Sequence, residues 1–273
     1  MDIKGVGLGL RSAHYSDILK ENPAIPWFEV LADNYLIKGS PNLSYLEKIR
    51  QNYPLTLHCI GMSLGSMDPL NFNYLKKIKK LIKIVEPVLI SDHLSWTSFN
   101  KQYFHELLPL PFTEEAIFHV AKRIRQVQDF LEQKIMIENI SSYLCFKQSQ
   151  LTEWAFLKEI ADQADCFILL DINNIYVNAY NHQLNALNYI KSLDTNRIAQ
   201  FHLAGFENKG YYLLDTHGAS FSSDVLKLFQ QAIKKFGALP TVIEWDSHIP
   251  IFSRLLEEVQ IAQTIMDQYA NII

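Results

Sequence analysis

VLISDHL (residues 88–94) begins as a buried strand and sets two ionisable side chains just before its last residue. Val88, Leu89 and Ile90 are apolar, and after Ser91 come Asp92 and His93 side by side. Ionisable groups at the end of an apolar run are costly to bury unless something pairs with them. The pattern recurs along the chain, in GVGLGL (5–10), WFEVL (27–31), LTLHCI (55–60), IMIENI (135–140), FILLDI (167–172), IAQFHLA (198–204) and LPTVIEWD (239–246). With VLISDHL that makes eight runs, continuous in hydrophobicity and not alternating, as strands covered on both faces of a parallel sheet require.

Between the runs the apolar period changes to that of a helix. Thr113 is a good N-cap, Glu114 and Glu115 suit a first turn, and Ile117, Val120, Ala121, Ile124, Val127 and Leu131 keep one stripe. Val225, Leu226, Phe229, Ala232, Ile233 and Phe236 repeat it between Ser222 and a stop at Gly237. Leu75, Ile78, Leu81, Ile82 and Val85 mark a Lys-rich helix, and Ser253–Met266 marks a last one. The pattern after the first two runs is weak, and mostly loop is expected after WFEVL. Eight strand–helix units of about 30 residues predict a single (β/α)8 TIM-type barrel over residues 1–273, in preference to a doubly wound sheet.

In such a barrel the C-terminal strand ends converge on one face. Those ends carry Glu29, with Asp33 and Asn34 beyond it; His58; Asp92 and His93; Glu138 and Asn139; Asp171, Asn173 and Asn174; His202; and Glu244 and Asp246. Between the last two runs, LLDTHGAS adds Asp215 and His217, which share a side in extended chain. One such histidine reads as a hydrogen-bonded core residue. Four imidazoles (His58, His93, His202, His217) and four carboxylates (Glu138, Asp171, Asp215, Glu244) at one mouth, with no Lys or Arg inside the strand tips, read differently. Acids at that density resist ionising together. Divalent metal ions resolve the conflict, because they accept neutral imidazole and carboxylate at once. The donors exceed the needs of one ion, which implies two or three ions bridged by carboxylates. A nitrogen and oxygen set without thiolate suits iron, manganese or zinc.

Composition narrows the function classes. The chain has 273 residues, 48% hydrophobic and 20% charged, with a formal net charge of −4. That balance gives no basic footprint for nucleic acid. No apolar run approaches the roughly 20 residues of a membrane helix, and MDIKGVGLGLRS is too short and too early broken by Arg11 for a signal peptide, so a cytoplasmic protein is expected. Cys59, Cys145 and Cys166 form no CxxC pair and read as reduced thiols, with Cys59 and Cys166 buried in strand-like runs. His14, His105, His119, His182 and His248 fall in loops or on helices and read mostly as solvated surface groups.

Taken with GVGL, HCIGMSLGS, SDHLSW, ELLPLPFTEEA, IENISSYL, TEWAFL, LLDINNIYVNA, FHLAG, DTHGA and IEWD, the chain resembles the multinuclear non-heme iron-dependent oxidative enzymes that include methanobactin biosynthesis oxidases. The resemblance implies a TIM-like barrel with two or three irons at its mouth, held by His58, His93, Glu138, Asp171, Asn174, His202, Asp215, His217 and Glu244. Within that set Glu138 would bridge; His58 with His93 would serve one ion, Asp171, His202 and Glu244 another, and Asn174, Asp215 and His217 a third. His58, His93, Glu138, Asp171, His202 and Glu244 would carry the catalysis. Asp92, Asn139 and Asp246 would orient the ligands from behind. The implied chemistry is O2-dependent modification of cysteine in a ribosomally made precursor peptide. A separate leader-binding partner protein would act in trans. Leu31–Asn34 and Phe206 depart from the family pattern near the pocket.

Two other classes share the geometry. Zinc or manganese barrels such as abasic-site endonucleases and sugar isomerases look similar. The acidic balance and Asn174 speak against the first, and the missing strand-tip lysine against the second. A non-catalytic metal-binding protein is the third reading.

Overall fold

A computed structural model describes residues 3–37 and 39–270. Eight parallel strands close into a barrel: β1 (Val6–Leu10), β2 (Phe28–Leu31), β3 (Leu55–His58), β4 (Ile90–His93), β5 (Met136–Glu138), β6 (Phe167–Asp171), β7 (Ile198–Leu203) and β8 (Thr241–Ile243). Each pairs with its neighbour in chain order and β8 returns to β1, the topology expected from the eight runs. Helices Phe72–Val85, Glu114–Leu131, Glu153–Ala164, Ser223–Phe236 and Phe252–Ala270 supply much of the outer layer. Thr113 and Ser222 cap two of them by accepting from the backbone N–H three residues on, and Gly237, at φ 88°, ends the second.

One expectation fails. The segment after β2 holds a 3-10 turn (Ala32–Tyr35) and a ten-residue helix, Pro41–Arg50, where mostly loop was expected. Only Leu46 and Ile49 of that helix are buried, so its apolar stripe is too narrow to show as a period. Its start was legible, since Ser40 accepts from Asn42 N and Pro41 takes the first helical position. Two antiparallel hairpins were also not foreseen. Trp96–Phe99 pairs with Gln102–Leu108 after β4, and Phe206–Asn208 with Leu213–Asp215 after β7.

The two ends of the barrel differ in chemistry. At the N-terminal end Trp27 is wholly buried and packs with Ile3 and Val242, against Val88 and Leu89. A side chain on Gly7 would lie 2.6 Å from the Trp27 ring, which is why β1 is bare there. At the C-terminal end the register sets His93 beside Glu138 and Asp171 beside His202. One mouth is therefore an apolar plug, and the other gathers the polar strand tips.

Candidate metal centre

Glu138 stands at the middle of the polar mouth and is 1% exposed. Its Oε2 is 3.3 Å from His58 Nε2 and 3.4 Å from His93 Nε2, and those two nitrogens are 3.1 Å apart. The tautomer of His58 follows from its other side. Nδ1 lies 2.7 Å from Ser91 Oγ, whose hydroxyl donates to Leu57 O, so the ring proton sits on Nδ1. Nε2 then turns a lone pair into the triad. Burial lowers both imidazoles, His93 to about 4, so both stay neutral and able to ligate near neutral pH.

A second group shares Glu138. Its Oε1 is 3.4 Å from His202 Nδ1, which is 2.9 Å from Glu244 Oε2 and 4.0 Å from Asp171 Oδ2. Behind the ring, His202 Nε2 stands 2.6 Å from Glu29 Oε1, while Glu29 Oε2 accepts from Thr56 Oγ1 at 3.1 Å and Gln200 Nε2 at 2.5 Å. That fixes a proton on Nε2 and leaves Nδ1 as the ring nitrogen that faces the carboxylate oxygens. Burial would lower His202, yet Glu29, Glu244 and Glu138 outweigh it and hold the imidazole well above its ordinary value. Burial pushes Asp171 well above the usual carboxylate range. Glu244 is held well below it, because His202 and His217 outweigh its burial.

These contacts are the right size for a metal. Donors bound to one ion at about 2.1 Å stand roughly 3.0–3.4 Å apart in octahedral or tetrahedral coordination. Glu138 Oε2, Asp171 Oδ2, His202 Nδ1, both ring nitrogens of His217 and Asn174 Oδ1 are buried without hydrogen-bond partners. Buried polar atoms left that way in a native site call for an ion or ordered water. The donor set therefore fits divalent metals, in two groups joined by Glu138: His58, His93, Glu138 and Glu138, Asp171, His202, Glu244.

His217 meets Asp215, with which the sequence reading grouped it, and reaches Glu244 and Asp246 as well. Its Nε2 is 2.9 Å from Asp215 Oδ1, while Nδ1 is 3.2 Å from Glu244 Oε2 and 3.3 Å from Asp246 Oδ2. The ring thus spans two carboxylate sets and forms a third compact group with Glu244 and Asp246. It does so from a left-handed backbone at φ 43°, which turns the loop after Asp215 inward. That loop passes so close to β7 that a side chain on Gly205 would meet Ala219 O at 2.1 Å. Asp215 is further fixed by Ser141 Oγ at 2.8 Å and Asn173 Nδ2 at 2.9 Å.

The supporting residues divide. Asn139 makes two bonds with the Asp171 backbone, and its own carbonyl accepts from Asn174 Nδ2 at 3.1 Å. Asp246 touches His217 as above. Asp92 instead accepts from Met62 N at 2.9 Å and His93 N at 2.7 Å, and lies 4.0 Å from the His93 ring, so its hydrogen bonds hold backbone. Two side chains that touch this mouth lay outside the predicted site. Glu29 was seen but left out of the site, because a strand-interior acid gives no sign of which ring it will meet. Arg11 follows β1 immediately and stands 2.6 Å from Asp246 Oδ1 and 3.6 Å from Glu244 Oε1. The strand tips are therefore not free of cations, and a boundary drawn one residue later would have included it.

Residues 5–267 match the family of the RiPP precursor modification enzyme MbnB/TglH/ChrH. The chain belongs to this family. A UPF0276 protein of Acaryochloris marina is 52% identical over 267 residues, 98% of this chain and 96% of that one. One from an Anaeromyxobacter species is 45% identical, covering 93% of this chain and 90% of its own. Among solved structures the barrel is similar to a D-tagatose 3-epimerase-like protein (TM-score 0.61, 16% identity, 98% and 97% covered) and to endonuclease IV from Thermus thermophilus (TM-score 0.59, 11% identity, 98% and 100% covered). At such low identity these likenesses concern the fold alone. Family membership makes a precursor-peptide-modifying enzyme of this chain. Among the described residues no helix is long and apolar enough to cross a membrane.

Proposed function

We propose that this chain is a multinuclear iron-dependent oxidase that uses O2 to modify cysteine in a ribosomally made precursor peptide. The observation that carries the reading is the pair of buried donor groups sharing Glu138, in a member of a precursor-modifying family. His58, His93 and Glu138 would hold one ion and Glu138, Asp171, His202 and Glu244 a second, with Asn174, Asp215 and His217 at a third. When bound, iron supplies binding of the substrate thiolate and redox activation of O2.

The chain's own residues prepare that chemistry. Ser91 and Glu29 fix the orientations of the His58 and His202 rings, so that Nε2 of the first and Nδ1 of the second face the centre. Arg11 offsets part of the negative charge at the Glu244 and Asp246 side. Asp92 ties the loop at Met62 to β4, which limits how far the wall beside His58 and His93 can move. The cysteine peptide would enter over the hairpins at the mouth, presented by a leader-binding protein in trans.

The test is elemental analysis and Mössbauer spectroscopy of protein purified without oxygen. Two or three irons per chain, lost together in Glu138→Ala, and O2 consumption that requires the cysteine peptide and its partner are the expected results. Stoichiometric zinc with no iron uptake would overturn the reading in favour of a hydrolase or isomerase.

A further inference from the structure

Cys145 lies on the loop after β5, outside the metal centre, and its Sγ is 3.3 Å from His182 Nδ1. His182 is the C-cap residue of helix Ile172–Asn181. Its Nε2 is 2.8 Å from Ser142 O, and since a carbonyl only accepts, the ring proton sits on Nε2. Nδ1 then offers its lone pair, and the thiol donates to it. A nucleophile, a base within reach and a third group that orients the base are the parts of an activated nucleophile.

Hydrogen bonds tie down the loop that carries Ser142. Ser142 N donates to Asn178 Oδ1 at 2.7 Å, and Asn178 Nδ2 returns a bond to Ile140 O at 2.9 Å. The other two cysteines are sealed inside the fold, and burial pushes the Cys59 thiol well above its ordinary value and Cys166 up to about 12. Cys145 alone of the three is exposed. Its chain neighbours Tyr143 and Leu144 are exposed as well, which gives a soft sulfur ligand apolar surface to lie on.

We propose that Cys145 and His182 form a thiol–disulfide exchange site whose ligand is a solvent-accessible disulfide. His182 Nδ1 takes the thiol proton as Sγ attacks one sulfur of R–S–S–R′. The S–S bond breaks, RS remains on Cys145 as the mixed disulfide Cys145–S–S–R, and the departing R′S− takes the proton from His182. The step is electron-balanced and needs no other oxidant. It stands independently of the metal reading, because neither side chain is a proposed ligand.

Glutathione disulfide, with the intact chain, is the probe. One adduct is expected, mapping to Cys145 by peptide mass and absent from Cys145→Ser. His182→Gln keeps a donor for Ser142 O but removes the base, and exchange should slow at least about tenfold, with added imidazole restoring the rate. Should His182→Gln melt below the parent, the comparison passes to a synthetic peptide of residues 141–149, against which the native protein should react at least about tenfold faster. A parental rate in a well-folded His182→Gln, no rescue by imidazole, an adduct on Cys59 or Cys166, or a peptide as fast as the protein would each overturn the proposal.

Discussion

Replacing Glu29 by Gln isolates the charge behind His202. The carboxylate is 3% exposed and takes three contacts: His202 Nε2 at 2.6 Å, Gln200 Nε2 at 2.5 Å and Thr56 Oγ1 at 3.1 Å. Gln keeps the length and can still accept from His202. Its new amide would face the Gln200 amide, but Gln200 Oε1 has no partner, so a flip of Gln200 satisfies both. The fold is therefore expected to persist, and the loss falls on the imidazole. A charged acceptor makes the metal-facing nitrogen a stronger donor, and losing such support costs about 10–100-fold in metal affinity, or roughly 1.4–2.7 kcal/mol. The assay is anaerobic competition of Fe2+ against a chelator, with thermal melting of both metal-free proteins as the control for folding. A Glu29→Gln protein that melts like the parent and binds iron within about twofold of it would refute the reasoning, because Glu29 would then be only a buried partner.

Three further outcomes follow from named contacts. Chelation of the metal-loaded protein should lower its melting temperature by about 5–8 °C from a state holding iron at 100 times its Kd, which amounts to about 2.7 kcal/mol; calorimetry showing no difference would contradict a folded-state metal site. Gly205→Ala sets a methyl 2.1 Å from Ala219 O, so the loop bearing His217 must move, and iron stoichiometry measured by elemental analysis should fall even where the melting temperature is kept. Glu153, whose carboxylate accepts from Tyr189 OH at 3.1 Å and Asn178 Nδ2 at 3.0 Å, is raised by burial to about 7. The folded state then holds a proton that the unfolded chain releases near 4.5, so this group's contribution is full below that pH and is lost as pH rises through about 7. Glu153→Gln should flatten that decline in urea titrations across the window, and parallel profiles would exclude Glu153 as its source.

The sequence by itself determined the barrel and most of the polar mouth. Eight continuous apolar runs can be buried only in a sheet covered on both faces, and parallel closure puts their ends together whatever the loops do. His58, His93, Glu138, Asp171, His202 and Glu244 were legible for that reason: each closes or directly follows such a run, and the structure brings their ligand atoms into two groups that share Glu138. The helix Pro41–Arg50 was not legible, since two buried residues make no period. Which donors face one another was not legible either. His217 meets Asp215 on one nitrogen and Glu244 and Asp246 on the other because of a single left-handed residue and the bare Cα of Gly205. Glu29 reaches His202 across 173 positions of chain, and Arg11 reaches Asp246 across 235, as closure of the barrel brings β1 between β2 and β8. Periodicity is local and survives in one dimension. Pairing, tautomer and charge compensation depend on strand register and side-chain direction, which exist only once the barrel has closed.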